Sequence, residues 1–147
     1  MIMGIFSKPK PVLTVDVIIP DPEGKVLVLS RGHKPFKSFW CLPGGILEYG
    51  ESVEHAAIRE VRKEMGLEVM IVGLLGVFSR PGRDPRGHYI SVAVVAHPTD
   101  IAPLITDEAL AFLHLQPGSK VDMAFDHASI LDSYWRSLQG SMRGVLG

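Results

Sequence analysis

Cysteine is almost missing from this chain: Cys41 is the only one in 147 residues. No disulfide can therefore close within the chain, and no second thiol exists to build a CxxC metal site. Redox chemistry and structural zinc are not expected. An excess of one charge is missing too, since 15 Lys+Arg face 16 Asp+Glu for a net charge of −1. Without a broad basic field, binding to nucleic acid or to an anionic membrane has little electrostatic support beyond a local patch. Long hydrophobic runs are equally absent. The longest, residues 69–78, counts 10 residues with two glycines among them, roughly half of what crosses a bilayer. Residues 1–6 are apolar but lack a basic n-region and a small-residue cleavage site, so the reading is a cytoplasmic chain. What the chain does have is apolar material, 46% of its residues, enough for one domain with a real core.

No repeat or low-complexity block interrupts the sequence, and Ser7-Lys8-Pro9-Lys10-Pro11 closes a short leader spanning 1–11. Residues 12–19 are rich in β-branched side chains and stop at Pro20-Asp21-Pro22-Glu23-Gly24, so with 25–29 they predict a hairpin. Two short strand pieces flank Pro43-Gly44-Gly45 within 39–47. Residues 52–65 change to a helical period, with Ser52 as N-cap and Gly66 just past the C-terminus. Residues 67–78 and 89–96 read as strands around the loop 79–88, residues 107–115 as a helical turn followed by a strand, and 126–138 as a closing helix. The order predicts an α+β fold, or an α/β/α sandwich with a mixed β-sheet, over 12–140, with 141–147 as a tail.

The helix over 52–65 breaks its own pattern. Placed at about 100° per residue, Val53, Ala56, Ala57, Val61 and Met65 form one apolar stripe, and Glu60 and Glu64 fall inside it. Two like charges at i,i+4 repel even in water, and near a core two unpaired carboxylates would cost several kcal/mol. A cation is expected between them. Arg59, Arg62 and Lys63 could supply that charge on a merely solvated helix, but Arg62 points away from the pair and Lys63 lies at its edge. Upstream, Gly44-Gly45 lets the backbone approach a ligand closely, and Glu51 stands at the mouth of the helix. Oxygen donors of this kind suit Mg²⁺ or Mn²⁺, and the constellation points to metal-assisted attack at phosphorus.

The spacing Gly45-x5-Glu51-x7-Arg59-Glu60-Val61-x-Lys63-Glu64-x-Gly66-Leu67 closely resembles the Nudix box of the Nudix hydrolase superfamily, with Lys63 where that pattern has Glu. The resemblance implies an α/β/α fold and hydrolysis of a nucleoside diphosphate linked to another moiety. It also implies that Glu60 and Glu64 are metal ligands with the Gly44 carbonyl a further one, that Arg59 orients the glutamates, and that Glu51 is an additional acid. Lys63 changes the local charge by +2 and should weaken binding of further metal ions. It either turns outward beside a working site or marks a fold whose catalysis is weakened or lost.

Outside the box the chain resembles ADP-ribose pyrophosphatase-like members, through Arg31-Gly32-His33-Lys34-Pro35-Phe36-Lys37-Ser38-Phe39-Trp40, Pro81-Gly82-Arg83-Asp84-Pro85-Arg86-Gly87-His88 and Ala124-Phe125-Asp126-His127-Ala128. Arg80, Arg83 and Arg86 sit in a Pro/Gly-shaped loop where forked guanidiniums could grip a pyrophosphate, unless Asp84 pairs with an arginine to fix the turn. Phe39 and Trp40 are candidates for stacking on an adenine, one of them being expected in the core. Glu60, Glu64 or Glu108 is the candidate general base, Asp107 and Glu108 lying in a late loop. His88, His97, His114 and His127 have no metal-ligand spacing and read as structural, and Cys41 as a small buried hydrophobe. The leading expectation is a Mg²⁺-dependent (or Mn²⁺-dependent) pyrophosphohydrolase acting on ADP-ribose or a related nucleoside diphosphate derivative, with a nucleotide-type small-molecule ligand and neither nucleic acid nor membrane as partner. The alternatives are hydrolysis of a nucleoside triphosphate and a ligand-sensing module without turnover. The resemblance further suggests a homodimer, for which residues 1–6 are a candidate contact.

Overall fold

The computed structural model describes residues 8–99 and 109–146, the last six by their backbone alone. Expectations resting on residues 1–6, Asp107 and Glu108 lie outside the described residues. The β-branched stretches become strands β1 (Val12–Ile18) and β2 (Val26–Arg31), and the Pro-Gly-Gly break separates β3 (Trp40–Cys41) from β4 (Gly44–Ile46). Helix α1 (Val53–Met65) follows, then β5 (Val69–Phe78), β6 (Tyr89–Pro98), β7 (Ala109–Leu115) and the closing helix α2 (His127–Leu146). A mixed four-stranded sheet runs β4-β1-β6-β5, with β1 parallel to β6, and a three-stranded antiparallel sheet runs β3-β2-β7.

The expected hairpin is cut down to its tip. Pro20 and Val26 form a single bridge and the Leu27 N–H donates to the Ile19 carbonyl at 3.0 Å, after which β1 and β2 part into different sheets. Proline supplies no N–H to continue a ladder, and each strand finds a longer partner elsewhere: β6 for β1 and β7 for β2. The closing helix also runs further than expected, through residues read from sequence as a tail.

Period-two alternation sorts the strands into two cores. Val15, Val17, Leu27, Leu29 and Val94 pack with Ala56, Ala57, Val61 and Met65 of α1, while Ile18, Val26, Val28 and Ala93 pack with Ile130, Leu131 and Tyr134 of α2. Helices thus cover strands from both sides, an α/β/α sandwich with a mixed sheet. Helix α1 is set by local chemistry: the Ser52 hydroxyl accepts the His55 N–H at 3.1 Å, and Gly66, at φ 62°, ends it in a left-handed turn. Val61 and Met65 are fully buried, and side chains of that size contribute roughly 1.5–3 kcal/mol each. A helix docked this firmly carries Glu60 and Glu64 inward with it. Among the described residues no helix is long and apolar enough to cross a membrane.

Candidate active site

Glu60 and Glu64 are 6% and 9% exposed, although they are the only acids on the apolar stripe of α1. What holds them explains how they tolerate burial. Arg59 donates from Nη1 to Glu60 Oε1 at 2.6 Å, and the Gly44 N–H donates to Glu64 Oε1 at 2.8 Å. The expected cation is therefore supplied in part by Arg59, while Arg62 turns away to Glu68. Arg59 is itself pinned. Its Nε and Nη2 donate to the two Glu51 oxygens at 2.7 and 2.9 Å, and Nη2 also to the Ile46 carbonyl at 3.1 Å. The box residues Glu51, Arg59 and Glu60 thus form one chain of charge-assisted bonds.

These bonds hold the Glu51 carboxyl well below its ordinary 4.5, at about 2, with the Arg59 hydrogen bond the chief cause and the Glu48 N–H second. A carboxyl lowered in the folded state stabilises fully above 4.5 and loses that contribution as the pH falls toward 2. Glu51→Gln should consequently be less stable than the native chain at neutral pH, with the gap narrowing as the pH approaches about 2. Urea denaturation of both chains across that range reads the gap, and a gap independent of pH would contradict the clamp.

The two glycines earn their places sterically. A Cβ on Gly45 would lie 2.5–2.7 Å from the Glu60 carboxyl, and one on Gly44 would lie 2.0 Å from the Val15 carbonyl and 2.8 Å from Asp16 Oδ1. Only bare backbone fits between β1 and the glutamates. The surrounding cavity measures about 400 Å³, and its lining includes Gly44, Gly45, Glu60 and Glu64, the exposed Lys63, and Arg31, Arg59, Arg83 and Arg86.

The arginine loop is organised differently from the expected pyrophosphate grip. Arg83 is buried and donates through Nε and Nη2 to both oxygens of Asp126, at 2.9 and 2.6 Å. Arg86 does the same to Asp84 at 3.0 and 2.8 Å, the turn-fixing pairing that was the alternative, and its guanidinium lies 4.6 Å from the Tyr89 ring centroid. Arg80, Phe39 and Trp40 are not among the lining residues. Arg80 is exposed, Phe39 meets Phe36 edge-on at 5.5 Å, and Trp40 packs on the core beneath α2. Strand alternation accounts for Trp40, since its neighbour Cys41 takes the other core. Cys41 is buried as expected, and burial pushes its thiol pKa up.

Asp16 and His127 belong to the cavity wall and were missed as site residues. Asp16 is buried on β1, accepts a short bond from the Ser91 hydroxyl, and has His127 Nε2 at 3.4 Å and Arg83 Nη2 at 3.9 Å. Burial opposes its charge, yet His127, Ser91 and Arg83 together hold its carboxyl below the usual range. The Leu42 N–H donates to His127 Nδ1 at 3.0 Å, which leaves the ring proton on Nε2, facing Asp16. An acid inside a β-branched strand, in register with inward-facing Ile18, was the available signal.

The donor set fits a divalent cation. Glu60, Glu64 and the Gly44 carbonyl are hard oxygen donors, and the space against Glu60 is one that a Cβ on Gly45 would fill. Among the described residues no three His, Cys, Asp or Glu side chains are spaced to hold a metal ion by themselves. An ion here would complete its shell from main chain, water and phosphate oxygens, the habit of Mg²⁺.

Buried carboxylates and arginines thus share one cavity of an α/β/α sandwich. The family model described as NUDIX domain matches residues 10–133. The chain belongs to the Nudix family and is a Nudix hydrolase. It is 38% identical over 130 residues to an ADP-ribose pyrophosphatase of Methanocaldococcus jannaschii, covering 88% of this chain and 76% of that one. It is 27% identical to an ADPR-responsive transcriptional repressor of Acinetobacter baylyi, covering 92% of this chain but 57% of the repressor. Among solved structures, a bifunctional NMN adenylyltransferase/ADP ribose pyrophosphatase of Francisella tularensis, complexed with AMP and a manganese ion, superposes with a TM-score of 0.77 at 25% identity, over 92% of this chain and 44% of that one.

Proposed function

We propose that the chain is a Mg²⁺- or Mn²⁺-dependent pyrophosphohydrolase that cleaves the diphosphate of ADP-ribose, or of a related nucleoside diphosphate derivative, to AMP and a sugar phosphate. The observation that carries this reading is the buried Glu60–Glu64 pair lining one cavity together with arginines. Glu60, Glu64 and the Gly44 carbonyl would hold the metal, which when bound neutralises phosphate charge and lowers the pKa of water. Arg59 fixes the Glu60 carboxylate, Glu51 fixes Arg59, and the Gly44 N–H fixes Glu64, so both acids are oriented before a ligand arrives. Glu60 or Glu64 takes the proton of the attacking water. Arg86, stacked on Tyr89, offers the remaining N–H groups of its guanidinium to the diphosphate. The names of the archaeal relative and of the manganese-containing neighbour support the substrate and the metal.

A ligand-sensing role without turnover is the second reading, favoured by Lys63 in the cavity lining and by the repressor relative. The test is release of AMP from ADP-ribose, run beside nucleoside triphosphates, on the native chain and on Lys63→Glu. Turnover of ADP-ribose by the native chain, with the variant within about 10-fold of it, is expected. Binding without turnover, with activity appearing only in Lys63→Glu, would replace the enzyme by the sensor, and preferred turnover of triphosphates would reassign the substrate.

We also propose a homodimer. Strand β5 lies at a sheet edge and exposes Met70, Val72, Leu74 and Val77, the last two 67% and 58% exposed. An apolar edge strand of this kind invites pairing. Light scattering should give twice the chain mass, and Leu74→Lys should reduce it; a native monomer would rule the dimer out.

A further inference from the structure

Beside the cavity the two sheets are joined by a very short link. Leu42 and Pro43 alone connect β3, in the three-stranded sheet, to β4, in the four-stranded one. Proline has no N–H, so the main-chain donors that can hold this link are those of Leu42 and, just after it, Gly44. The Gly44 N–H goes to Glu64 at 2.8 Å. The Leu42 N–H is buried and goes to His127 Nδ1 at 3.0 Å, a partner 85 residues away. Between them, the Pro43 carbonyl accepts the Val17 N–H of β1 at 2.8 Å. In an antiparallel ladder the N–H and carbonyl of one residue point to the same side, and neighbouring residues alternate. Gly44, next to Pro43, therefore turns its carbonyl away from β1 together with the N–H that meets Glu64.

The ring that receives Leu42 is held at both nitrogens. His127 is 4% exposed, and its Nε2 faces Asp16 Oδ1 at 3.4 Å. Asp16 stands opposite Gly44 in the β1–β4 register, and its Oδ1 would lie 2.8 Å from a Cβ there. The main chain around the ring is fixed as well. Arg83 binds both oxygens of the preceding Asp126, and the His127 N–H donates to the Ala124 carbonyl at 3.1 Å. Ala124 in turn donates to the Trp40 carbonyl of β3 at 2.8 Å. The hydrogen-bonding capacity of the imidazole is thus spent on protein, as acceptor from Leu42 and as donor toward Asp16. A group committed in this way acts on the chemistry through the backbone it holds.

We infer that His127 is a positioning residue: its Nδ1 fixes the Leu42–Pro43–Gly44 link and so sets where the Gly44 carbonyl and the Glu64 carboxylate stand. Asp16 serves the same end, keeping the ring proton on Nε2 and leaving Nδ1 to accept. This deepens, and rests on, the reading of Glu60, Glu64 and the Gly44 carbonyl as the holders of a divalent cation.

The test is titration of Mn²⁺ into the nucleotide-free chain, native and with His127→Leu, His127→Asn or His127→Gln, read by electron paramagnetic resonance of the unbound ion. Thermal melting establishes that each chain is folded at the temperature used. The amide oxygen of Asn can stand where Nδ1 stands, whereas Gln reaches toward Asp16 and leaves Leu42 without an acceptor. Mn²⁺ affinity should fall about 10- to 100-fold in His127→Leu and His127→Gln and return close to native in His127→Asn. At one fixed Mg²⁺ concentration, kcat on ADP-ribose should follow the same order with KM little changed. A merely structural role would lower the melting temperatures and leave Mn²⁺ affinity native in the folded variants. That result would overturn the inference and leave the proposed function standing. A loss in His127→Asn as large as in His127→Leu would overturn it as well, and a native chain that binds no Mn²⁺ would overturn both. Should His127→Leu not fold, the Asn and Gln variants decide, and equal affinities in the two would overturn the positioning role.

Discussion

Glu60→Gln is expected to lower kcat on ADP-ribose by about 100-fold or more while the variant folds with native stability or better. The two halves of that result come from different physics. Gln keeps the shape of Glu, so the packing of α1 around Val61 and Met65 is untouched, and a buried charge is removed from beside the core. Chemistry suffers because an amide neither binds a hard cation as a carboxylate does nor accepts a proton from water. Arg59 would keep Glu51 as its partner, so removing Glu60 leaves no orphaned guanidinium. Circular dichroism and thermal melting separate folding from catalysis. A variant as active as the native chain would remove Glu60 from the chemistry.

Arg83→Met is expected to have the largest effect on stability. The Arg83 side chain is 3% exposed, is bidentate to Asp126, and has Asp16 at 3.9 Å. Cutting it back to a neutral group strands Asp126 and weakens the field that keeps Asp16 ionised. Breaking one side of a buried pair in this way costs about 3–5 kcal/mol, which for a domain of this size lowers Tm by roughly 10 °C or more. The consequence reaches function through geometry, because Asp126 and His127 begin the ordered run into α2 directly after Phe125. Arg83→Lys should recover part of the loss, as charge returns without the fork. An unchanged Tm in Arg83→Met would show that the network carries no net stability.

How much of this was legible beforehand depended on the range of the interactions. Helix α1 could be read because its information is local: a Ser52 cap, a Gly66 stop and an apolar period that two glutamates interrupt. Those same glutamates, and the glycines before them, pointed to the site because a carboxylate on a core face needs a reason. The hairpin was misread for the opposite reason. Turn residues announce that a chain reverses but not which sheet each arm joins, and β1 and β2 are separated by pairings made with β6 and β7 far along the chain. Arg83 was read as a ligand grip because its partner Asp126 lies 43 residues away, whereas the Asp84–Arg86 pairing, two residues apart, stood among the alternatives. Arg31 and Phe125 stood only within the segments that carried the resemblance, and their meeting in the cavity wall, 5.0 Å from guanidinium to ring centroid, is purely tertiary.

The most direct measurement is the appearance of AMP and ribose 5-phosphate when the native chain is incubated with ADP-ribose, with Mg²⁺ or Mn²⁺ and then with EDTA in excess. The expected result is release of both products in equal amounts with either metal, and a rate that falls to background on chelation. Products released at the same rate in EDTA, or no products with either metal, would contradict a metal-assisted hydrolysis centred on Glu60 and Glu64.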